Sequence, residues 1–369
     1  MHRGSLSFLK WRGPHWAAVT TLALFLVFGL APTRTDAPLL PRADPGHATP
    51  PQHFSELLTA SPESVSGMEI ARLNLLCAEG LRGSEGLAVE DFLRRLDGIA
   101  SHVERETTRH YRRFRNQPEE FNRSEGYFRM LMLAVVLQED LKVGYNPARI
   151  TPVGVFKNNA TFFADARDVF IHGLIAEDRR MGTCASLPVL YVAVARRLGY
   201  PVKLVPTQNH LFIRWEDTRE RFNVDATGHG MNLYDDNHYR QWPYPITREQ
   251  EAEMGFLKSM SATDELTAFL AMRGHCLIAA GKWDEAVACH QAALRFSPES
   301  KLQQTVLAQV QEQRARSRAI ALLPPEAASR RLPDGTLLAP ARAQPPGIGP
   351  APNPLTAIRN HHLNPQTRP

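Results

Sequence analysis

Apolar positions along the chain repeat at helical spacing through its first half. Ile70, Leu73, Leu76 and Cys77 fall at i, i+3, i+6 and i+7 and predict a helix with one buried face. Leu87, Phe92, Leu93, Leu96 and Ile99 form a second such face, with Asp97 and Glu104 outside it. A third helix, rich in Met and Leu, is predicted over Tyr127 to Leu141 (Met130, Leu131, Leu133, Val136, Leu137). The run Thr107 to Arg115 is basic and reads as a solvated helix face. Residues 142–160 read as loop, with Gly144, Pro147, Pro152, Gly154 and the pair Asn158-Asn159. Together these segments make 64–160 a helical lead-in.

The pattern then changes twice. Leu187, Leu190, Tyr191, Val194 and Leu198 follow i, i+3, i+4, i+7 and i+11, and Val189, Val192 and Ala193 make the opposite side apolar too. A helix buried nearly all round is expected. Pro188 is tolerated in a first turn, so the start is placed near Cys184, and Gly199 ends the helix. Val202 to Val205 is a short strand. Asn209 to Trp215 and Glu220 to Asp225 alternate around a polar turn, the signal of a hairpin. Centring that turn between Asp217 and Thr218 sets Ile213 opposite Phe222 and Leu211 opposite Val224 on one face. The other face then receives Phe212 with Asn223, and His210 with Asp225. Directly opposed side chains lie ~4.5–5.5 Å apart at Cβ. The register that pairs the hydrophobes therefore also pairs an imidazole with a carboxylate.

Past residue 261 small residues take over. Gly274, Gly281, Ala286, Ala293 and Pro298 fall at intervals of seven, five, seven and five, with Leu270 and Trp283 between them. That spacing predicts a two-helix hairpin with Gly281 at the turn and Pro298 as a stop. A polar helix over 301–322 would cap it, giving a helical unit over 262–322. From residue 323 to 369 the chain is Pro-, Ala- and Arg-rich without periodicity and reads as disordered.

The N-terminus adds a further element. Arg3, Lys10 and Arg12 precede Ala17 to Ala31, an uncharged apolar run. At ~1.5 Å per residue it reaches roughly 23 Å, short of the ~30 Å hydrocarbon core, with Trp11 and Trp16 to extend it. Pro32 and Pro38 follow the candidate cleavage positions Ala31 and Ala37, a poor context for signal peptidase. Residues 1–31 are read as an uncleaved anchor at the inner membrane with a periplasmic body; a cleaved signal, giving a secreted or periplasmic protein, is the alternative. Residues 32–63 form a linker rich in proline (Pro32, Pro38, Pro41, Pro45, Pro50, Pro51).

Composition narrows the function classes. The net charge of +5 comes from 43 basic and 38 acidic residues, interspersed and without an aromatic-interleaved basic stripe, so no nucleic-acid partner is expected. The four cysteines (Cys77, Cys184, Cys276, Cys289) have no metal spacing and are too sparse for a disulfide scaffold. Cys276 and Cys289, one on each helix of the hairpin, leave a disulfide open; Cys77 reads as core. His229, Asp235, Asp236 and His238 fit no tight metal motif and read as a solvated loop. No metal and no cofactor are expected. His172 reads as helix packing, with a place in a site as the alternative. Gln208 and Asn209 are candidate side-chain donors beside His210.

Cys184 is the residue on which chemistry converges. A thiol is a nucleophile only as thiolate, and a helix N-terminus and an imidazolium both favour that form. His210 supplies the imidazole as general base and acid. Asp225 orients it and stabilises its charge. Backbone N–H groups at the helix start are placed for an oxyanion.

Gly182-Thr183-Cys184 with Arg196-Arg197-Leu198-Gly199-Tyr200-Pro201, Asn209-His210-Leu211 and Asn223-Val224-Asp225-Ala226-Thr227 resembles the transglutaminase-like superfamily. It is most similar to a compact bacterial branch in which such a domain precedes tetratricopeptide repeats. Glu69 to Asn74 and Phe92 to Asp97 look like that branch's helical lead-in. Arg273 departs from the repeat pattern, which has an apolar residue there. The resemblance implies an α+β, papain-like core over 161–245, a cysteine helix packed on an antiparallel sheet, followed by a repeat-like hairpin. It implies Cys184, His210 and Asp225 as nucleophile, base and orienter. The expected function is an exported, membrane-anchored cysteine hydrolase or acyltransferase acting on a protein or peptide, with residues 17–31 in the membrane and a protein partner at the 262–322 helices. The alternative is a non-catalytic binding module with a scaffolding or regulatory role. Many members of the branch lack the cysteine; this chain keeps it.

Overall fold

The structure is a computed structural model that describes residues 51–150, 159–228 and 230–321. The apolar run 17–31 and the tail 323–369 lie outside these residues. No helix among the described residues is long and apolar enough to cross a membrane.

The helix Ile70–Ala78 is buried at every position but Arg72. Val89–Asn116 is amphipathic over 28 residues and buries Leu93, Leu96, Ala100, Val103 and Thr107 on one stripe. Glu90 and Asp91 in its first turn and Arg113 and Arg115 in its last match the helix dipole. The basic run from Thr107 to Arg115 is largely exposed. The third helix, Glu125–Val135, passes directly into a π-helical turn, Val136–Asp140.

The cysteine helix runs Leu187–Arg197, and every residue from Leu187 to Ala195 is buried. It starts three residues later than Cys184, where the sequence placed it. The difference has a local cause. The Ser186 hydroxyl accepts from Thr183 N–H at 3.0 Å, and Leu187 N–H donates to the Thr183 carbonyl at 3.0 Å. Residues 183–186 are thereby drawn into a separate tight turn. Gly199, at φ +71°, ends the helix in the left-handed region.

Three antiparallel strands follow, Val202–Thr207, His210–Glu216 and Arg221–Val224, with His210–Glu216 central. Ile213 pairs with Val224, Arg214 with Asn223, Trp215 with Phe222 and Glu216 with Arg221. The expected register was two residues away, with Ile213 opposite Phe222. The hairpin closes over four residues instead, because the Asp217 carboxylate accepts from the N–H groups of Arg219 (2.7 Å) and Glu220 (2.8 Å). Strand side chains alternate with period two, so this slip left every residue on its expected face.

Both sheet faces are covered. Leu204, Ile213 and Val224 join the main core with the cysteine helix. Val205 and Phe212 pack on Tyr239, Ile246 and Leu257, Phe212 stacked on the Tyr239 ring at 3.7 Å. Arg214 is 1% exposed and fully engaged, by Asn223 Oδ1, the Leu257 carbonyl and Asp236 Oδ1 at 2.9, 2.8 and 2.6 Å.

The C-terminal helices are Ala262–Ala279, Trp283–Phe296 and Lys301–Ala321, with Gly281 at φ +75° in the first turn. Gly274 is where the first two helices approach: a Cβ there would lie 2.4 Å from His290 Nε2. Cys276 and Cys289 are buried and unbridged. Arg273 is buried because it serves the neighbouring helix. Its guanidinium donates to the carbonyls of Cys77 (2.9 Å) and Glu79 (2.6 Å) and covers the Phe54 ring at 3.6 Å. The buried side chains of this hairpin belong to the same continuous core as the cysteine helix, and Glu265 ties the two by ion-pairing with Arg196. The fold is α+β.

Candidate active site

The turn Gly182–Ser186 is fixed by what lies behind it. Gly182 pairs with Tyr145 in a short parallel bridge, and its carbonyl accepts from Asn146 N–H at 2.8 Å. A Cβ on Gly182 would meet Ser186 Oγ at 2.3 Å, so only glycine fits this approach. The hydroxyls of Thr183 and Ser186 both donate to the main-chain carbonyl of Asp168, at 2.9 and 2.8 Å. The Asp168 side chain is fully buried. It accepts from Asn146 Nδ2 (2.7 Å) and Arg149 Nε (2.6 Å) and ion-pairs with Arg179.

Cys184 is 8% exposed. Its thiol interacts with the His210 ring, favouring the charged imidazole. His210 Nε2 faces Asp225 Oδ2 at 2.7 Å, which leaves Nδ1 for the sulfur. His210 and Asp225 are diagonal rather than directly opposed across the strands. They meet because the imidazole spans the extra residue, within the reach of diagonal neighbours. Asp225 is held from two further sides. Thr227 donates to Oδ1 from its N–H (2.9 Å) and its hydroxyl, and the Tyr239 hydroxyl donates to Oδ2 at 3.2 Å. The Trp242 ring stands edge-on to His210 at 4.7 Å.

The electrostatics follow from this packing. Burial works against a charged His210, but the Asp225 carboxylate and the hydrogen bond to it outweigh burial. Cys184 adds to them, and the ring is raised from 6.5 to about 9. Burial likewise opposes the Asp225 anion, yet His210 and Thr227 hold its pKa below the usual carboxylate range. The pair is imidazolium and carboxylate at neutral pH. Tyr145 is pushed above the usual phenol range, by burial first and then by Cys184. Burial, followed by the charge of Cys184, raises Tyr244 as well.

Cys184, His210 and Asp225 are thus brought together. His172 is elsewhere, its Nε2 at 3.0 Å from the Gly83 carbonyl and its pKa lowered by burial. Asn209 is exposed in the strand turn at φ +59°, and neither it nor Gln208 bonds to the site. Asp235 caps the helix Asp236–Gln241, Asp236 binds Arg214, and His238 stacks on Tyr234 at 3.9 Å. His229 lies outside the described residues. Among those residues no group of His, Cys, Asp or Glu is arranged to hold a metal.

Sequence reasoning missed Tyr145, Asp168, Tyr239 and Trp242. The Gly144-Tyr145 and Met181-Gly182 segments are two residues each, too short for periodicity to register, and Tyr239 and Trp242 lie in a stretch after the hairpin that carries no apolar periodicity.

The Transglutaminase-like superfamily model matches residues 90–270. Over 86 residues the chain is 31% identical to F-box only protein 21 of Mus musculus and 30% identical to F-box only protein 21 of Homo sapiens. Each alignment covers 21% of this chain and 13% of the relative, so the chain spans a small part of these curated relatives. No solved structure matches.

Proposed function

We propose that the transglutaminase-like domain of residues 90–270 is a cysteine hydrolase or acyltransferase acting on amide bonds of a protein or peptide. The observation that carries this reading is the 2.7 Å contact of His210 Nε2 with Asp225, on an imidazole whose charged form Cys184 also favours. Cys184 Sγ, as thiolate, attacks the carbonyl carbon. The oxygen takes the negative charge at the Cys184 N–H. His210 gives its proton to the leaving amine, and a thioester remains. His210 then takes a proton from water or from an acceptor amine as that nucleophile attacks the thioester, and Cys184 is released.

The test is pH-dependent alkylation of Cys184 by iodoacetamide in wild type and His210→Ala. The other thiols are buried, and burial raises the pKa of each, so they contribute little background. Wild-type Cys184 is expected to label well below pH 7, and the variant only in the ordinary thiol range near pH 8.5. An ordinary profile in both proteins overturns the reading. A second reading, a recognition module, is favoured by near-closure of the site: Cys184 is 8% and His210 6% exposed.

The proposal includes export through residues 17–31, inner-membrane anchoring, and a protein partner at the 262–322 helices. Protease accessibility in spheroplasts, whose outer membrane is opened, and in lysed cells checks export, and fractionation of the membrane checks anchoring. Body residues cut equally in spheroplasts and lysed cells would support export, and protection in spheroplasts would count against it.

A further inference from the structure

The last turns of the helix Val89–Asn116, from Thr107 to Asn116, and Arg129 of the helix Glu125–Val135 line a groove of about 640 Å³. It is far from the thiol. Arg129 lies 5.4 Å from the Tyr200 ring, beyond the C-terminal end of the cysteine helix. That helix of 11 residues is ~16 Å long, and Cys184 precedes its other end.

The charges in the groove differ from those around it. On the same helix Arg109 reaches Glu106 and Arg113 reaches Glu120, at 3.4 and 2.7 Å. Arg129 is bonded to Glu125. Arg112 and Arg115, which face the groove, are exposed and pair with no carboxylate among the described residues. The groove is therefore the place where the basic run keeps uncompensated guanidinium groups beside an aromatic ring, Tyr111, and the polar groups of Thr108 and Asn116.

We propose that this groove docks an acidic stretch of a partner polypeptide, through carboxylate pairs on Arg112 and Arg115. Residues at i and i+3 of a helix hold their Cβ atoms ~5–6 Å apart. Same-face side chains of an extended peptide repeat every ~6.6 Å, so two acidic residues separated by one can each meet a guanidinium fork. The volume suits several side chains, where a single inorganic anion would leave most of it empty. Thr108, Asn116 and the Tyr111 hydroxyl are available to peptide main-chain groups. The chain's own Arg-rich tail has the wrong charge for this role. The inference is independent of the chemistry at Cys184.

The test is fluorescence anisotropy of a labelled hexaglutamate peptide with the full chain. Three variants are compared with wild type: Arg112→Ala/Arg115→Ala, Arg112→Lys/Arg115→Lys, and Arg82→Ala, an exposed arginine before the other end of the long helix. The expected result is at least about tenfold weaker binding in the double alanine variant, an intermediate loss in the double lysine variant, and no change in Arg82→Ala. Equal losses in the double alanine variant and Arg82→Ala overturn the proposal, because they report overall charge alone. Failure of the peptide to bind also overturns it. So does displacement of the peptide by inorganic phosphate, or tighter binding of vesicles with anionic lipid through the same two arginines.

Discussion

Because Asp225 holds the His210 ring in its charged form, removing that carboxylate acts first on the thiol. A histidine raised from 6.5 to about 9 contributes stability that is fully present below pH 6.5 and is lost as pH rises toward 9. The same charge favours the Cys184 thiolate over that window. Asp225→Asn is expected to let the ring titrate near or below its ordinary value and to slow iodoacetamide labelling of Cys184 near pH 6 by at least about tenfold. The Tyr239→Phe variant removes one of the hydrogen bonds on Asp225 and is expected to cost about 1 kcal/mol of stability with a much smaller effect on labelling. Labelling rates across pH and urea midpoints separate the two.

At the scale of elements, the buried Arg273 makes the sharpest case. Removing it leaves the carbonyls of Cys77 and Glu79 without this donor at the end of a helix buried at every position but Arg72. Arg273→Met is expected to destabilise by about 2–4 kcal/mol, read as a lowered urea midpoint with an unchanged slope. Sequence periodicity saw Arg273 only as a residue out of place, since a carbonyl cluster supplied by residues almost two hundred positions away leaves no local trace. The hairpin shows the opposite case. Its register was misplaced by two residues because the Asp217 side chain builds a turn that hydrophobic pairing does not encode. The facing of His210 and Asp225 was legible all the same, since alternation depends only on parity. The cysteine helix was legible from apolar spacing, whereas Asp168 and Tyr145 act through a main-chain carbonyl and a two-residue bridge that no periodicity marks.

Over the whole molecule, one acid-sensitive feature stands apart from the site. His275 and His290 pack together at 5.3 Å between the C-terminal helices, and neither ring nitrogen of His290 has a hydrogen-bond partner among the described residues. Burial lowers His275 to about 4. Burial, with a smaller contribution from His275, lowers His290 to about 3. Folded-state values below 6.5 mean that the unfolded chain binds more protons as pH falls. Stability is therefore fully present above pH 6.5 and declines from there toward pH 4, by up to about 1.4 kcal/mol per pH unit per histidine. His290→Leu is expected to flatten this slope in urea titrations between pH 7 and about pH 4.5. A wild-type slope no steeper than that of the variant would show that the pair carries no such linkage.

Asp168 touches nothing that reacts, yet two hydroxyls of the nucleophile turn hang from its main-chain carbonyl while its carboxylate is clamped by Asn146, Arg149 and Arg179. That makes the aim of the thiol a property of a salt cluster behind it. A chain with Asp168→Asn would keep its nucleophile, its base and its orienting acid, and would still shoot wide. A silent protein carrying such a change should be diagnosed as mis-sighted rather than disarmed.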